Sequence, residues 1–468
     1  MKKVLAMAVF LVACLASAQD VWLGLYLQGV KVGYASYASR AEKRDGREVT
    51  RSDSRTLFNA GLLGQAMSLR MESTSWLAAD GSPLAMKFTT SSGGRAQIVD
   101  ATFGAKAIEV EIDNSGARSH KTLEIPKGAR IVDDPIPYLV ERASPGATSA
   151  FYVLDPTTVS LVKNTATLVG KERTDVKGKP VDATRIDISD PRATLKVFVS
   201  AKGDLVKIEG PMGLAMLPLS REEALDGSAT GYLPSTDLAT STRIAPDKPL
   251  PNPETLTRLK LKITGVDLAR IPNDAHQTVV RQGEAWIVET HPVSPRASGA
   301  KGSDAGQTAW LKPGLYIPSE SAAFRELSRK LTAGRPNTVE AAWSIQDYVH
   351  SIMRPDAGIG VLRDASEILR TREGVCRDYA ILTATLMRAA KIPARVVAGL
   401  VAADGLFYYH AWTEIWDGTN WIGIDATRPR HRVSAAHIKL AQGSVEDAFL
   451  FGFLDSVKVE VMEAVGGG

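Results

Sequence analysis

The residue types best suited to chemistry lie close together in the last quarter of the sequence. Cys376 is followed first by His410 and then by Asp425. A thiol becomes a strong nucleophile when an imidazole takes its proton, and a carboxylate can hold that imidazole in one orientation and tautomer. Cys376, His410 and Asp425 are therefore the candidates for a site of nucleophilic catalysis.

Cys376 is predicted to lie in the first turn of a helix. Apolar residues recur at helical spacing around and after it, until Ile392 and Pro393 end the pattern. These residues are Val375, Tyr379, Leu382, Leu386 and Ala389. Unpaired backbone N–H groups and the positive end of the helix dipole favour a thiolate in the first turn. Arg377 adds a nearby cation, and we expect Asp378 to cap the helix or to form a local salt bridge.

The other two candidates fall on a predicted β-hairpin. Residues 407–416 and 421–427 have strand patterns, and the turn formers Asp-Gly-Thr-Asn separate them. A loop of two or four residues sets Asp425 diagonal to His410 on one face of the hairpin. A loop of three residues would shift the register by one and place the two side chains on opposite faces.

Several large side chains of this hairpin surround the candidates. We expect them to pack the hairpin, with Trp412 or Glu414 also supporting the site. They are Trp412, Glu414, Trp416 and Trp421.

The remaining nearby histidines do not match the pattern. We expect His350 to lie at the surface or its boundary, and His431 and His437 to be exposed because they accompany the basic, irregular stretch 428–432. Zinc is the competing use of cysteine and histidine, but Cys376 and one well-placed histidine do not supply four ligands. We therefore expect no metal and no organic cofactor.

The N-terminus predicts export. A basic start, an apolar run from Val4 to Leu15 and the sequence Ala-Ser-Ala form a signal peptide of residues 1–18. Cleavage after Ala18 would deliver a periplasmic or secreted protein. The alternative is a lipoprotein modified at Cys14, which we regard as weaker because that cysteine comes early. Under either interpretation Cys376 is the only remaining thiol, and such a thiol is either buried and inert or kept for its reactivity.

Composition narrows the class of protein. The chain has 468 residues, with 44% hydrophobic and 23% charged, which is typical of globular protein in more than one domain. After the signal peptide, no stretch approaches the roughly 20 apolar residues that span a bilayer. The net charge of +4 includes Lys2 and Lys3 of the predicted signal peptide, so the mature chain carries less. We expect no nucleic-acid partner, since a basic stripe would be needed.

Patterns along the chain predict an α+β protein. Alternating strands dominate residues 19–225, as where Met67, Leu69 and Met71 alternate with polar residues, and indicate a large, curved antiparallel β domain. Residues 226–256 read as a linker rich in Pro, Ser, Thr and Gly, and 257–310 as a small β-rich segment. Helical periods follow in 311–468, the predicted catalytic domain.

Residues of about 320 to 440 resemble the transglutaminase-like superfamily. Three motifs carry the resemblance: Gly374 to Ala380, His410 to Glu414, and Trp421 to Thr427. The resemblance implies a papain-like core with a cysteine-bearing helix packed on an antiparallel sheet. It also implies that Cys376 is the nucleophile, His410 the general base and acid, and Asp425 the residue that orients His410. Ala426 stands where the family usually has proline, and the backbone N–H of Cys376 is the candidate oxyanion donor.

The expected function follows from the resemblance. Cys376 would attack a carboxamide or peptide carbonyl of a protein or peptide substrate, form a thioester and pass the acyl group on. Transfer to water, as in a peptidase or amidase, is the leading hypothesis. Amine cross-linking by a protein-glutamine transglutaminase and a non-catalytic envelope-binding or scaffold protein are the alternatives.

Overall fold

A computed structural model describes residues 20–62, 64–133, 144–190, 193–227, 237–250, 252–296, 305–358, 360–450 and 457–466. The chain divides into two compact units. The first holds residues 20–241 with 358–362, and the second holds 242–357 with 363–466. The predicted signal peptide, and residues 228–236 of the predicted linker, lie outside the described residues, and the finer segment boundaries stay predictions. No helix in the described ranges is both long and apolar enough to cross a membrane.

The first unit is built on one antiparallel sheet, which within the described residues has fourteen strands. Its strands are β1 (Val21–Leu27), β2 (Val30–Arg44), β3 (Arg47–Leu62), β4 (Gln65–Leu77), β5 (Pro83–Ser92), β6 (Arg95–Phe103), β7 (Ala107–Asn114), β8 (Ala117–Glu124), β9 (Thr148–Asp155), β10 (Ser160–Val176), β11 (Lys179–Ser189), β12 (Thr194–Val199), β13 (Leu205–Gly210) and β14 (Leu214–Leu219). The spatial order runs from β8 back to β1, then from β14 back to β9. Short helices α1 (Arg221–Leu225) and α2 (Leu238–Ser241) and the 3-10 turn Pro211–Gly213 complete the unit.

Strand alternation explains this sheet. In β4, Met67, Leu69 and Met71 are buried whereas Ser68 and Arg70 are exposed, which is the period of a strand with one face on a core. Within β1–β8 and within β9–β14, strands that are neighbours in sequence are also neighbours in space, as in a series of hairpins. The predicted large antiparallel β domain is confirmed.

The second unit combines two sheets with a helical layer. Its strands are β15 (Leu256–Thr264), β16 (Gln277–Gln282), β17 (Ala285–Thr290), β18 (Arg354–Pro355), β19 (Glu373–Gly374), β20 (Ala394–Ala403), β21 (Leu406–Trp416), β22 (Trp421–Ile424), β23 (His437–Gly443) and β24 (Lys458–Gly466). The described strands form two four-stranded sheets, in the orders β16-β17-β15-β24 and β22-β21-β20-β23, and β18 pairs with β19.

Helices of the second unit begin where the sequence offers caps. They are α3 (Ala322–Leu331), α4 (Thr338–Ile352), α5 (Ala365–Thr371), α6 (Cys376–Ala389) and α7 (Val445–Leu450), beside the 3-10 segments Pro253–Thr255 and Ala305–Leu311. Ser321 caps α3, and the Asn337 side chain accepts the Glu340 N–H at 2.9 Å to cap α4. The cysteine-bearing α6 packs on the sheet, where Thr413 Oγ1 donates to the Ala380 carbonyl at 3.0 Å. The predicted α+β class and papain-like arrangement are confirmed.

The hairpin β21–β22 has the register that brings the site together. Trp416 pairs with Trp421 and Thr413 with Ile424, around a four-residue loop. Of the two registers that the sequence allowed, the structure therefore has the one that places Asp425 and His410 on the same face.

Gly399 lets three strands meet beneath the site. It pairs with His410 on one side and lies beside a β-bulge in the pairing with β23 on the other. A Cβ at this position would lie 1.9 Å from the Ile438 carbonyl oxygen and 3.0 Å from the Trp412 ring. No side chain fits, so glycine is required here by close approach.

We expect Gly399→Ala to lower the free energy of unfolding by about 1–3 kcal/mol, because the added methyl must displace the backbone of β23. Urea unfolding followed by circular dichroism measures this. Gly314→Ala is the matched control, since a Cβ there would meet nothing within 4 Å. Equal effects of the two substitutions would contradict the packing argument.

Candidate active site

The hairpin presents a histidine and a carboxylate to each other. His410 lies in β21, and Asp425 directly follows β22. His410 Nε2 is 2.9 Å from Asp425 Oδ2, and the two side chains are 12% and 3% exposed. This is the short, charge-assisted hydrogen bond that fixes an imidazole in orientation and tautomer.

Cys376 completes the arrangement from the first turn of α6. Its side chain is a hydrogen-bond partner of His410. Because Nε2 of that imidazole faces Asp425, the nitrogen left for the thiol is Nδ1. Cys376 is a free cysteine of intermediate burial. The structure brings together all three residues that the sequence singled out.

Burial and charge act against each other on the imidazole. Burial alone would lower the pKa of His410, but the Asp425 carboxylate, with a smaller contribution from Cys376, raises that pKa overall to about 10. Burial alone would raise the pKa of Asp425, but the positive charge of His410 and its hydrogen bond hold that pKa well below the usual range. The raised pKa means that an imidazolium is maintained beside Cys376 at neutral pH.

The Asp425 carboxylate is held by its own loop and by α4. Its Oδ1 accepts from the backbone N–H and the hydroxyl of Thr427, at 3.0 and 2.7 Å. The buried amide of Gln346 donates to the carbonyl oxygens of Asp425 and Arg430, at 3.0 and 2.7 Å. Arg428 Nε lies 3.5 Å from Oδ2. Backbone and side chain of the aspartate are therefore both fixed.

A buried ion pair sets the start of the cysteine helix. Asp378 Oδ2 accepts the Val375 N–H at 2.9 Å, and Asp378 Oδ1 lies 3.1 Å from an Arg363 nitrogen. Both charged side chains are fully buried. A Cβ on Gly374 would lie 2.6 Å from the Asp378 carboxylate, so glycine permits this cap. Of the two predicted uses of Asp378, a helix cap or a local salt bridge, the contact with the Val375 N–H confirms the cap.

The prediction that His437 is exposed is wrong. His437 is 2% exposed, and its Nε2 lies 3.4 Å from Asp425 Oδ2. The prediction rested on the basic, irregular stretch 428–432 nearby, but His437 lies in β23, whose two faces are both covered. The strand pattern was the available signal, but β23 is the edge strand of its sheet, and the residues that hydrogen-bond to its backbone, His276 and Gln277, are distant in sequence.

The other two histidines lie where the sequence placed them. His431 is partly exposed, stacks on Trp343 and pairs with Asp347 at 2.6 Å. His350 lies at the boundary, with Nδ1 3.1 Å from the Ala426 carbonyl oxygen. Neither touches Cys376 in the contacts recorded for the described residues.

Trp412 and Glu414 have different partners, although both share the face of β21 that carries His410. The Trp412 ring is 1% exposed, with its centroid 6.3 Å from that of His410. Glu414 instead pairs with Arg395 at 2.5 Å and with Lys439 at 3.1 Å. Trp412 therefore packs against the site, whereas Glu414 joins the strands of the sheet.

A metal ion is the competing use of these side chains. Among the described residues, His410, Asp425 and His437 form a group whose ligand atoms lie within 4.8 Å of one another. Three protein donors are the number that catalytic zinc sites use. Here the same atoms are joined by hydrogen bonds, and the chemistry of a thiol, an imidazole and a carboxylate needs no metal.

Comparisons with known proteins agree with this site. Residues 325–426 match the family model described as the transglutaminase-like superfamily, and residues 23–212 match a family described as a protein of unknown function, DUF3108. The first match contains Cys376, His410 and Asp425. The resemblance predicted from the motifs is confirmed.

Individual relatives match over short stretches. An uncharacterized protein of Mycobacterium bovis is 34% identical over 76 residues, 13% of this chain and 24% of that protein. A protein-glutamine gamma-glutamyltransferase of Pseudomonas aeruginosa is 32% identical over 93 residues, 18% of this chain and 14% of that protein. The chain thus spans a quarter or less of the length of these curated relatives. A solved structure described as a candidate cysteine protease from Cytophaga hutchinsonii has a TM-score of 0.32 and 19% identity, covering 46% of this chain and 89% of that one.

The ion pair of the site predicts a pH dependence. A pKa of His410 raised to about 10 means that the pair stabilises the fold in full below about pH 6.5 and loses that contribution as the pH rises through about 10. We expect NMR of histidine side chains to show this alkaline titration in the whole protein. In Asp425→Asn the titration of His410 should move to lower pH, and an unchanged midpoint would contradict the assignment.

The buried cap predicts a large cost of substitution. In Asp378→Asn the charge of Arg363 stays buried without its partner, so we expect a loss of about 3–5 kcal/mol in the free energy of unfolding. The matched control is Glu373→Gln, which removes a carboxylate that pairs with Arg354 at the surface and should cost less than about 1 kcal/mol. Chemical denaturation measures both, and similar losses would contradict the cap.

Proposed function

We propose that this chain, whose residues 325–426 belong to the transglutaminase-like superfamily, is an exported cysteine-dependent acyl-transfer enzyme that acts on carboxamide or peptide bonds. The observation that carries the proposal is the continuous hydrogen-bonded series from Cys376 through His410 to Asp425. A buried series of this kind has a cost in desolvation, and nucleophilic catalysis is the use that it fits.

The first half-reaction forms a thioester. The Cys376 thiolate attacks the carbonyl carbon of the substrate, and the carbonyl oxygen becomes an oxyanion for which the backbone N–H of Cys376 is the candidate donor. His410 then gives its proton to the leaving nitrogen, the C–N bond breaks, and ammonia or an amine departs. Asp425 stabilises the imidazolium before this transfer and keeps the neutral imidazole oriented after it.

The second half-reaction transfers the acyl group. His410, now neutral, takes a proton from the acceptor as it attacks the thioester carbon, and sulfur leaves as the thiolate. With water as acceptor the product is a carboxylate, and with a primary amine it is a new amide. Hydrolysis is our leading proposal, and it is supported by the intermediate burial of Cys376, which leaves part of this residue in contact with solvent.

Amine transfer is the second candidate. It is supported by the similarity of 93 residues to the Pseudomonas aeruginosa protein-glutamine gamma-glutamyltransferase. Such a reaction needs an amine channel and shelter of the thioester from water. The third candidate, a binding or scaffold protein, leaves the filled series of three residues without a use.

The proposed location rests on the sequence of residues 1–18. A basic start, an apolar run and Ala-Ser-Ala support export with cleavage after Ala18. The N-terminal β domain and its role in binding the substrate belong to the same proposal, with a protein or peptide as the substrate class.

The test of the nucleophile is the rate of Cys376 alkylation by iodoacetamide as a function of pH. We expect rapid labelling near pH 6–7, where an ordinary thiol with a pKa of about 8.5 is almost entirely protonated. His410→Ala should slow that labelling about tenfold or more, whereas His431→Ala, a histidine outside the series, should not change it. Slow labelling of all three proteins that rises only at alkaline pH would favour the scaffold.

The acyl acceptor is identified separately. Incubation with glutamine-containing and other peptides, with and without a primary amine, distinguishes carboxylate products from new amides by mass. If products form only when the amine is present, the proposed reaction is amine cross-linking and not hydrolysis.

A further inference from the structure

We propose that His437 is a positioning residue for the acyl-transfer reaction: its Nε2–H donates to Asp425 and holds that carboxylate where it orients His410. This inference rests on the proposed function and adds a fourth side chain to the site. Nothing in the three family motifs indicates it, since His437 lies beyond residue 426, where the family match ends.

The geometry gives Asp425 two imidazole neighbours on one oxygen. Oδ2 is 2.9 Å from His410 Nε2 and 3.4 Å from His437 Nε2. The other oxygen is occupied by Thr427. Rotation of the carboxylate away from His410 would therefore break the contact with His437 as well.

The His437 ring has little freedom to move. It is 2% exposed, and its centroid lies 5.3 Å from the Trp412 ring and 6.2 Å from the His410 ring, in edge-to-face arrangements. Its backbone is paired with Val401 in the neighbouring strand. The His437 carbonyl oxygen also lies 2.8 Å from Nε2 of the buried His276. Because both the backbone and the ring of His437 are held in place, its N–H can fix the position of the Asp425 carboxylate.

The charges around His437 set its protonation. Burial lowers its pKa to about 4, and the positive charges of His410 and Arg428 act in the same direction against the opposing effect of Asp425. The imidazole is therefore neutral at neutral pH and carries one N–H. That hydrogen belongs on Nε2, because the ionised carboxylate of Asp425 only accepts. Nδ1 is then an acceptor, and it has no hydrogen-bond partner within the described residues.

The two histidines thus have different roles on one carboxylate. His410 is charged and exchanges its proton with sulfur and with the leaving group. His437 is neutral and keeps its proton, so it supplies a hydrogen bond without a second positive charge that would compete with His410. Removing it leaves Asp425 with one fewer donor on Oδ2, the oxygen that faces His410.

The test compares His437→Phe with His437→Gln in the full-length mature protein. Phenylalanine keeps a planar ring but has no N–H, whereas the glutamine amide can donate to Asp425. We expect the alkylation rate of Cys376 near pH 6–7 to fall about 10- to 100-fold in the Phe variant and to recover most of that loss in the Gln variant. His431→Phe is the matched control, and circular dichroism with thermal unfolding shows whether each protein is folded.

The pH profile separates positioning from packing. If His437 positions Asp425, the titration of His410 moves to lower pH in the Phe variant and returns toward the wild-type value in the Gln variant. A purely structural role would lower both variants' stability and leave the midpoint for His410 unchanged. Equal labelling rates in the wild type and both variants would overturn the proposal, and so would a loss that Gln does not restore.

Failure of the His437 proposal can be distinguished from failure of the proposed enzyme function. Slow alkylation of the wild type contradicts the enzyme itself, and the NMR titration of His410 still reports on the contact between His437 and Asp425. Metal analysis of protein purified without chelators adds a further arm. If the wild type binds one transition-metal ion per chain and both His437 variants lose it, His437 is a metal ligand and not a hydrogen-bond donor to Asp425. That result would overturn the proposal.

Discussion

The buried charge of Asp425 is the constraint on which the catalytic unit depends. A carboxylate that is 3% exposed has lost its hydration, and hydrogen bonds and opposite charge must offset this desolvation cost. Thr427 satisfies one oxygen and the imidazole of His410 the other. That imidazole is also the partner of Cys376, so the compensation of the Asp425 charge extends through His410 to the Cys376 side chain. The register of a four-residue loop makes the contact possible.

Two further buried ionic clusters hold the elements around this carboxylate. Arg363 and Asp378 fix the start of α6, where Cys376 lies. Glu414, Arg395 and Lys439 join β21, β20 and β23, and Lys439 also pairs with Asp274. Burial opposes the charge of Glu414, but the two cations lower its pKa to about 2. Removing Asp378 would leave the buried charge of Arg363 without its ionic partner, which costs far more than the loss of a surface pair.

The sequence predicts those parts of the site that depend on local patterns, such as helical spacing and loop length. The start of α6 follows from helical spacing after Cys376, and the hairpin register follows from loop length once an even number is chosen. The environment of His437 could not be predicted in this way. Its strand was recognisable, but the layer that covers its second face comes from residues such as His276 and Asp274, which lie more than 150 positions earlier in the chain. Arg363 was missed for a similar reason, since only tertiary packing shows that its charge is buried.

The small sheet that contains β16 contributes residues that hydrogen-bond to the sheet carrying His410, so the second unit extends beyond the family match on both sides. Gln277 donates to the Lys439 carbonyl oxygen and accepts the Lys439 N–H, at 2.9 and 2.7 Å, as a strand neighbour would. Thr290 donates its hydroxyl to the Ala435 carbonyl oxygen at 2.5 Å. These donors come from upstream of residue 325, and the strand that they satisfy lies downstream of residue 426. The family match is therefore shorter than the hydrogen-bonded unit described here, and a fragment cut to residues 325–426 would lose β23, the edge strand of its own sheet.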